Sequence, residues 1–115
     1  MTAPVLAAIV VNYNAGDELQ RSLQSIADEL DGQPWEAVVV DNASIDGSIA
    51  LAERFGAPVR CIRNSVNVGF GRGINQGLAA TRAPLVLIIN PDCRLVAGAI
   101  EGLKAVLHEH ALTAL

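Results

Sequence analysis

The chain has 115 residues, 51% of them hydrophobic but only 3% aromatic, with a net charge of −4 and a pI near 4.9. That length suits one small domain with a core of Val, Ile, Leu and Ala, able to bury roughly two-thirds of its unfolded surface. The acidic balance argues against nucleic acid as the main partner, since phosphate backbones need clustered Lys and Arg, and no apolar run approaches the ~20 residues of a membrane span.

Val5 to Val11 is nearly all apolar and reads as a buried strand, closed by Asn12-Tyr13-Asn14-Ala15-Gly16. Asp17 and Glu18 then place acids where a helix dipole favours them. Leu19, Leu23, Ile26 and Leu30 supply the apolar stripe of a helix lying on a sheet, ended by Asp31-Gly32-Gln33-Pro34. Glu36 to Val40 predicts a second strand that runs into Asp41 and Asn42. A polar turn through Asp46-Gly47 leads to a short helix ending at Phe55, with Gly56 as its C-cap. Val59 to Arg63 is a weaker third strand.

A loop from Asn64 to Gly69 and a glycine-rich helical segment through Arg82 follow. Leu85 to Ile89, five apolar residues after Pro84, reads as a central strand buried on both faces. It ends in Asn90-Pro91-Asp92, which taken alone is an ordinary turn. Ile100, Leu103 and Leu107 mark a last amphipathic helix. Strands alternating with helices predict an α/β fold with a mostly parallel sheet of about four strands and right-handed crossovers.

In such a sheet the strand ends share one edge, so Asn12, Tyr13, Asp41, Asn42, Asn90 and Asp92 converge on one crevice. Converging acids without a nearby base suggest Mg²⁺ or Mn²⁺, which take oxygen ligands. Magnesium commonly uses one or two carboxylates with substrate phosphates and water, so Asp92 alone suffices. A dinucleotide-binding oxidoreductase fits poorly, because the glycines at 69, 71, 73 and 77 miss the GxGxxG spacing and follow the wrong strand. No P-loop Gly-Lys-Ser/Thr occurs.

Other groups carry weaker signals. His108 and His110 are two apart on a helix, so they point apart and are expected in solvent. Cys61 and Cys93 form no CxxC motif and are expected as reduced, mostly buried thiols, and Cys93, with no base in the local sequence, as inert. Arg72 is placed either in solvent or against a diphosphate. Asp46 is expected as a turn or cap residue.

Four segments resemble glycosyltransferase family 2, the inverting GT-A transferases. They are Ile9-Val10-Val11-Asn12-Tyr13-Asn14, Val39 through Ser48, Asn67-Val68-Gly69-Phe70 with Asn75-Gln76-Gly77, and Asn90-Pro91-Asp92. The resemblance implies a Rossmann-like nucleotide-sugar-binding domain over residues 1–115. Its donor site would draw on Asn12, Tyr13, Asp41, Asn42, Gly69, Asn75 and Asn90, with Asp92 as the metal ligand. Tyr13 would lie beside the base, Asp41 would accept from its imide N–H, and Asp92 would hold the metal bridging the diphosphate.

Asn90-Pro91-Asp92 departs from the commoner Asp-x-Asp and looks most like members resembling rhamnosyltransferases, which use a dTDP-sugar. The donor is therefore expected to be a UDP- or dTDP-sugar, and the acceptor in a full enzyme a glycan or a lipid-linked one. Family members place the catalytic base and the acceptor-binding half well downstream, and Glu101 and Glu109 match no base motif. The chain thus resembles the donor-binding half of a transferase, either truncated or naturally short. Self-association through an uncovered face is expected. The N-terminus has no signal-peptide pattern, which places the protein in the cytoplasm or at the inner face of the membrane. The alternative readings are a non-catalytic nucleotide-binding or interaction module, and then an NAD(P)-dependent oxidoreductase.

Overall fold

A computed structural model describes residues 3–109. Strands and helices alternate throughout: β1 (Leu6–Asn12), α1 (Asp17–Glu29), β2 (Trp35–Asn42), α2 (Ser48–Phe55), β3 (Val59–Asn64), α3 (Phe70–Ala79), β4 (Leu85–Ile88) and α4 (Ala99–Glu109). Among the described residues the strands form one parallel sheet in the order β3-β2-β1-β4. The chain steps outward twice from β1, then returns across the sheet to β4. With crossovers of one hand, that reversal sends α3 to the face opposite α1 and α2.

The side chains follow this division. Leu6, Ala8 and Val10 of β1 and Ala37 and Val39 of β2 pack with Leu19, Leu23, Ile26 and Leu30, with Ile49 and Ala52 of α2, and with Ile100 of α4. The alternate residues Ile9, Val11, Val38 and Val40 pack with Ile74 of α3 on the other face. The helical stripe read from α1 is thus its buried face. Small residues let α3 approach closely: a Cβ on Gly77 would sit 2.5 Å from Ile9 Cγ2, and one on Gly73 would sit 3.0 Å from Val11 Cγ2.

Two expectations need correction. The Leu85–Ile89 run forms an edge strand, not a central one. β1 is its one partner among the described residues, because the chain's return from β3 lays β4 outside β1. Leu85 and Leu87 pack against the core, but Val86 and Ile88 are 40% and 48% exposed, on the face that α3 leaves bare beyond β1. Composition alone cannot separate this from a central strand, since both read as a short apolar run. The second correction concerns the thiols. Both are free, but only Cys61 is partly buried; Cys93 is exposed in the turn after β4. Burial pushes the Cys61 thiol up to about 11, with the Glu53 carboxylate adding to the effect.

Smaller differences follow local geometry. The helix predicted through Arg82 stops at Ala79, and Thr81 Oγ1 instead accepts from the Ala83 N–H. Gly56 sits at the C-cap of α2 with φ 73°, as expected. His108 is exposed, while His110 lies outside the described residues.

Candidate functional site

The strand order reverses between β1 and β4, so the crevice outside the carboxyl ends of these two strands is where an open α/β sheet takes its ligand. The sheet does not end evenly there. The β1–β2–β3 ladder continues to Asn12 opposite Asp41 and Asp41 opposite Arg63, with Asn42 opposite Asn64. β4 stops at Ile88, opposite Ile9, after which the Ile89 N–H donates to the Ile9 carbonyl. Asn12, Asp41 and Asn42 are therefore strand residues held inside the sheet and are buried, whereas Asn90 and Asp92 have left it and are exposed.

Asn12 Nδ2 donates to Asp41 Oδ1 (2.9 Å), Ser48 Oγ (2.8 Å) and Ser44 Oγ (3.2 Å). Turning the amide over would set its oxygen against the carboxylate, so this orientation is the one the network requires. Asp41 Oδ2 accepts from the Ser44 N–H at 3.0 Å, and the side chain is only 3% exposed. Each carboxylate oxygen thus keeps a lone pair beyond its internal partner.

Asn42 braces the neighbouring loop. Its Nδ2 donates to the Gly69 carbonyl (3.1 Å), while its Oδ1 accepts from Asn64 Nδ2 (3.0 Å) and the Val68 N–H (3.3 Å). Asn64 and Gln76 exchange two amide hydrogen bonds of 2.8 Å each, tying β3 to α3. Gly69 opens α3 with φ 89°, a left-handed backbone that favours glycine.

The remaining candidates face outward. Tyr13 is 57% exposed just past β1. Asn75 is exposed on α3. The Asn90 carbonyl accepts from the Cys93 N–H at 3.0 Å, closing a four-residue turn with Pro91 in its second position, where proline's fixed φ belongs. That turn presents Asp92 to solvent, and no ion pair engages Asp92 among the described residues. Arg94 and Leu95 anchor the turn to α1 through Glu18 (3.2 Å) and Ser25 Oγ (3.0 Å). No group of three or more His, Cys, Asp or Glu side chains that could hold a metal occurs among the described residues. Asp92 fits a Mg²⁺ or Mn²⁺ that takes its other ligands from a diphosphate and water, and does not fit a site built from protein alone.

The structure thus joins Asn12 to Asp41 and Asn42 to Gly69 directly, and leaves Tyr13, Asn75, Asn90 and Asp92 exposed at the surface, Asp92 Oδ1 accepting only a long contact from the Cys93 thiol (3.8 Å). Residue-by-residue reading passed over Ser44, Ser48, Asn64 and Gln76, although the resembling segments contain three of them and Asn64 occupies a strand end. Asp46 is the turn residue of the two roles expected for it: Gly47 is the N-cap of α2, and Asp46 Oδ1, one residue earlier, accepts from the Ser48 N–H (3.0 Å) and hydroxyl (2.6 Å). Those bonds, the hydroxyl first, hold the Asp46 carboxyl below the usual range.

Comparison with known proteins decides the family. The model of glycosyl transferase family 2 matches residues 7–114. The chain belongs to this family. An uncharacterized protein of Mycobacterium tuberculosis (strain CDC 1551 / Oshkosh) is 34% identical over 102 residues, covering 88% of this chain and 32% of the relative. The N-acetylglucosaminyl-diphospho-decaprenol L-rhamnosyltransferase of the same strain is 27% identical over 110 residues, 86% of this chain and 36% of the relative. The chain therefore spans about a third of the length of these relatives.

Among solved structures, the mannosyltransferase PcManGT from Pyrobaculum calidifontis, in complex with GDP-Man and Mn²⁺, superposes with a TM-score of 0.74 at 26% identity, over 84% of this chain and 30% of that one. S. aureus TarS in complex with UDP-GlcNAc shares the fold, with a TM-score of 0.80 at 24% identity over 92% of this chain and 32% of its own. The architecture of this family 2 chain is the Rossmann-like GT-A type.

Proposed function

We propose that this chain is the donor-binding part of a glycosyltransferase that moves a sugar from a UDP- or dTDP-sugar to an acceptor hydroxyl with inversion. The observation that carries this reading is the contrast at the crevice. A buried, braced carboxylate (Asp41, at the end of β2) and an exposed, ion-pair-free one (Asp92, in the turn after β4) mark the ends of strands on either side of β1, which itself leads into the exposed Tyr13. Asp41 is suited to accept from a ring N–H, because Asn12 and the Ser44 N–H hold its oxygens in place. Tyr13 offers an exposed aromatic face for the base. Asn12, Asn42 and Gly69 hold the frame from behind, and Asn75 and Asn90 flank the ribose and diphosphate. A divalent cation on Asp92 would neutralise charge developing on the departing diphosphate.

PcManGT's complex with GDP-Man and Mn²⁺ supports the metal and the nucleotide sugar by similarity. The rhamnosyltransferase relative supports a deoxysugar donor and a lipid-linked acceptor in the same way. No described helix is long and apolar enough to cross a membrane. We place the chain's work in the cytoplasm, against the inner membrane face, by similarity to the rhamnosyltransferase relative, whose name gives a lipid-linked acceptor. Calorimetric titration with UDP, dTDP, GDP and CDP, with and without Mn²⁺, tests the reading. Metal-enhanced binding of UDP or dTDP is expected. No nucleoside diphosphate binding under any of these conditions would favour the non-catalytic interaction module.

A further inference from the structure

The two loops at the mouth of the crevice follow β1 (Tyr13 to Gly16) and β2 (Ala43 to Gly47). No backbone–backbone hydrogen bond joins them among the described residues. They are joined instead through side chains, and the joining is reciprocal. Asn14 Oδ1, on the first loop, accepts from the Ile45 N–H of the second at 2.8 Å. Asp46 Oδ2, on the second, accepts from the Gly16 N–H of the first at 2.8 Å. The Asn14 N–H also donates to Ser44 Oγ at 2.8 Å. We propose that Asn14 and Asp46 are a pair of positioning residues whose crossed hydrogen bonds fix the Tyr13 ring at the mouth of the crevice.

This rests on the donor-site reading above, which needs Tyr13 but leaves its placement unexplained. The ring is 57% exposed and packs in neither core cluster, so burial does not hold it. Its position comes from its chain neighbours: Asn12, locked in the buried network, and Asn14, locked across the loops. Asn14 has φ 50°, a left-handed conformation that Asn tolerates better than most residues. Ala43, on the other loop, has φ 64°. Such backbone persists only where the surroundings over-determine it. A ring already in place spares the ordering cost that a mobile loop would add to binding.

Asp46 divides its work between its two oxygens, which makes the proposal separable from the turn before α2. Oδ1 serves Ser48 at the start of α2. Only Oδ2 crosses to Gly16. Asn in its place keeps the first acceptor but presents an NH₂ group to the Gly16 N–H. Gly in place of Asn14 keeps the left-handed backbone and loses the acceptor, whereas Asp there keeps both.

Tyr13 is the chain's only tyrosine, so 3-fluorotyrosine labelling gives a fluorine NMR signal from that ring alone. In the double variant Asn14→Gly/Asp46→Asn the signal should narrow as the ring gains motion. UDP affinity in Mn²⁺ should fall roughly three- to tenfold, a modest loss because the bonds are exposed. Affinity for inorganic pyrophosphate in Mn²⁺, which needs no base contact, should stay unchanged. Asn14→Asp alone should match the wild type in all three. If the double variant does not fold, Asp46→Asn alone carries the same expectations in smaller measure.

An unchanged fluorine signal would overturn the proposal, and so would equal losses of UDP and pyrophosphate affinity. If the wild type binds no UDP, the donor-site reading fails while the fluorine signal still decides the clamp.

Discussion

Asp41 and Asp92 are both carboxylates at strand ends, yet their surroundings assign them different tasks. Asp41 is fixed by two internal donors, so its remaining lone pairs point where the sheet dictates. Uracil, thymine and guanine present a ring N–H to such an acceptor, while cytosine's N3 offers only a lone pair. Hydrogen bonds to charged groups contribute about 1.5–3 kcal/mol, so UDP or dTDP should bind roughly tenfold to a hundredfold better than CDP. Asp41→Ala should abolish that preference in calorimetric titrations. It should also cost about 1–3 kcal/mol of stability in urea unfolding, because Asn12 and the Ser44 N–H lose their acceptor. CDP bound as tightly as UDP by the wild type would refute the assignment. Asp92 has no such internal duty, so Asp92→Asn should leave the melting temperature nearly unchanged. It should remove the gain in nucleoside-diphosphate affinity that Mn²⁺ brings; a folded variant with the gain intact would show that another group holds the metal.

Two glycines of α3 should respond to alanine in opposite directions, because only one of them is packed against the sheet. Ala is preferred over Gly in a helix interior by about 1 kcal/mol. At Gly71 an added Cβ meets nothing within 4 Å, so Gly71→Ala should stabilise the protein by up to that amount. At Gly77 the same methyl would sit 2.5 Å from Ile9 Cγ2. Overpacking of a core typically costs about 1–3 kcal/mol, which exceeds the propensity gain. Gly77→Ala should therefore lower the melting temperature by several degrees, since each kcal/mol shifts a domain of this size by about 4–8 °C. Equal melting temperatures for the two variants would mean that α3 can lift off β1 without cost.

As a whole, the molecule should bind a donor nucleotide without transferring its sugar at an enzymatic rate. The residues of the crevice all precede Cys93, while the acids that follow lie elsewhere. α4 carries Glu101 and Glu109, and it is tied by its Ile100 N–H to Glu29 and by Lys104 to Gln33, where α1 ends and the chain leads into the start of β2, away from the crevice. A well-placed general base contributes about 10²–10⁴-fold, and acceptor positioning contributes more. Incubation of the 115-residue chain with labelled donor, Mn²⁺ and candidate acceptors should yield at most slow donor hydrolysis. Glycosylated acceptor at an ordinary rate would show that one of this chain's own acids is the base. Among the described residues no strand pairs with the outer side of β4, and Val86 and Ile88 are exposed beside it. Such edges associate unless charged or covered. Sedimentation should show concentration-dependent self-association that Ile88→Lys weakens, and a wild type monomeric at high concentration would refute this.

The alternation of strands and helices, the parallel pairing and the family were all legible in the residues themselves. Apolar runs bounded by turns, and a stripe such as Leu19, Leu23, Ile26 and Leu30, are properties of the local chain. Motifs such as Val39 through Ser48 survive because the loop they form needs those residue types. Strand order was not legible, and with it went the place of Leu85–Ile88. A short apolar run looks the same at the centre of a sheet as at its edge, because the difference lies in which distant segment pairs with it. The division of labour among the polar strand ends was likewise decided only in three dimensions. Asn12, Asp41 and Asn42 looked equivalent to Asn90 and Asp92 as polar residues following apolar strands. Their roles parted because the β1–β2–β3 ladder runs on through the first three, while β4 stops before reaching the other two.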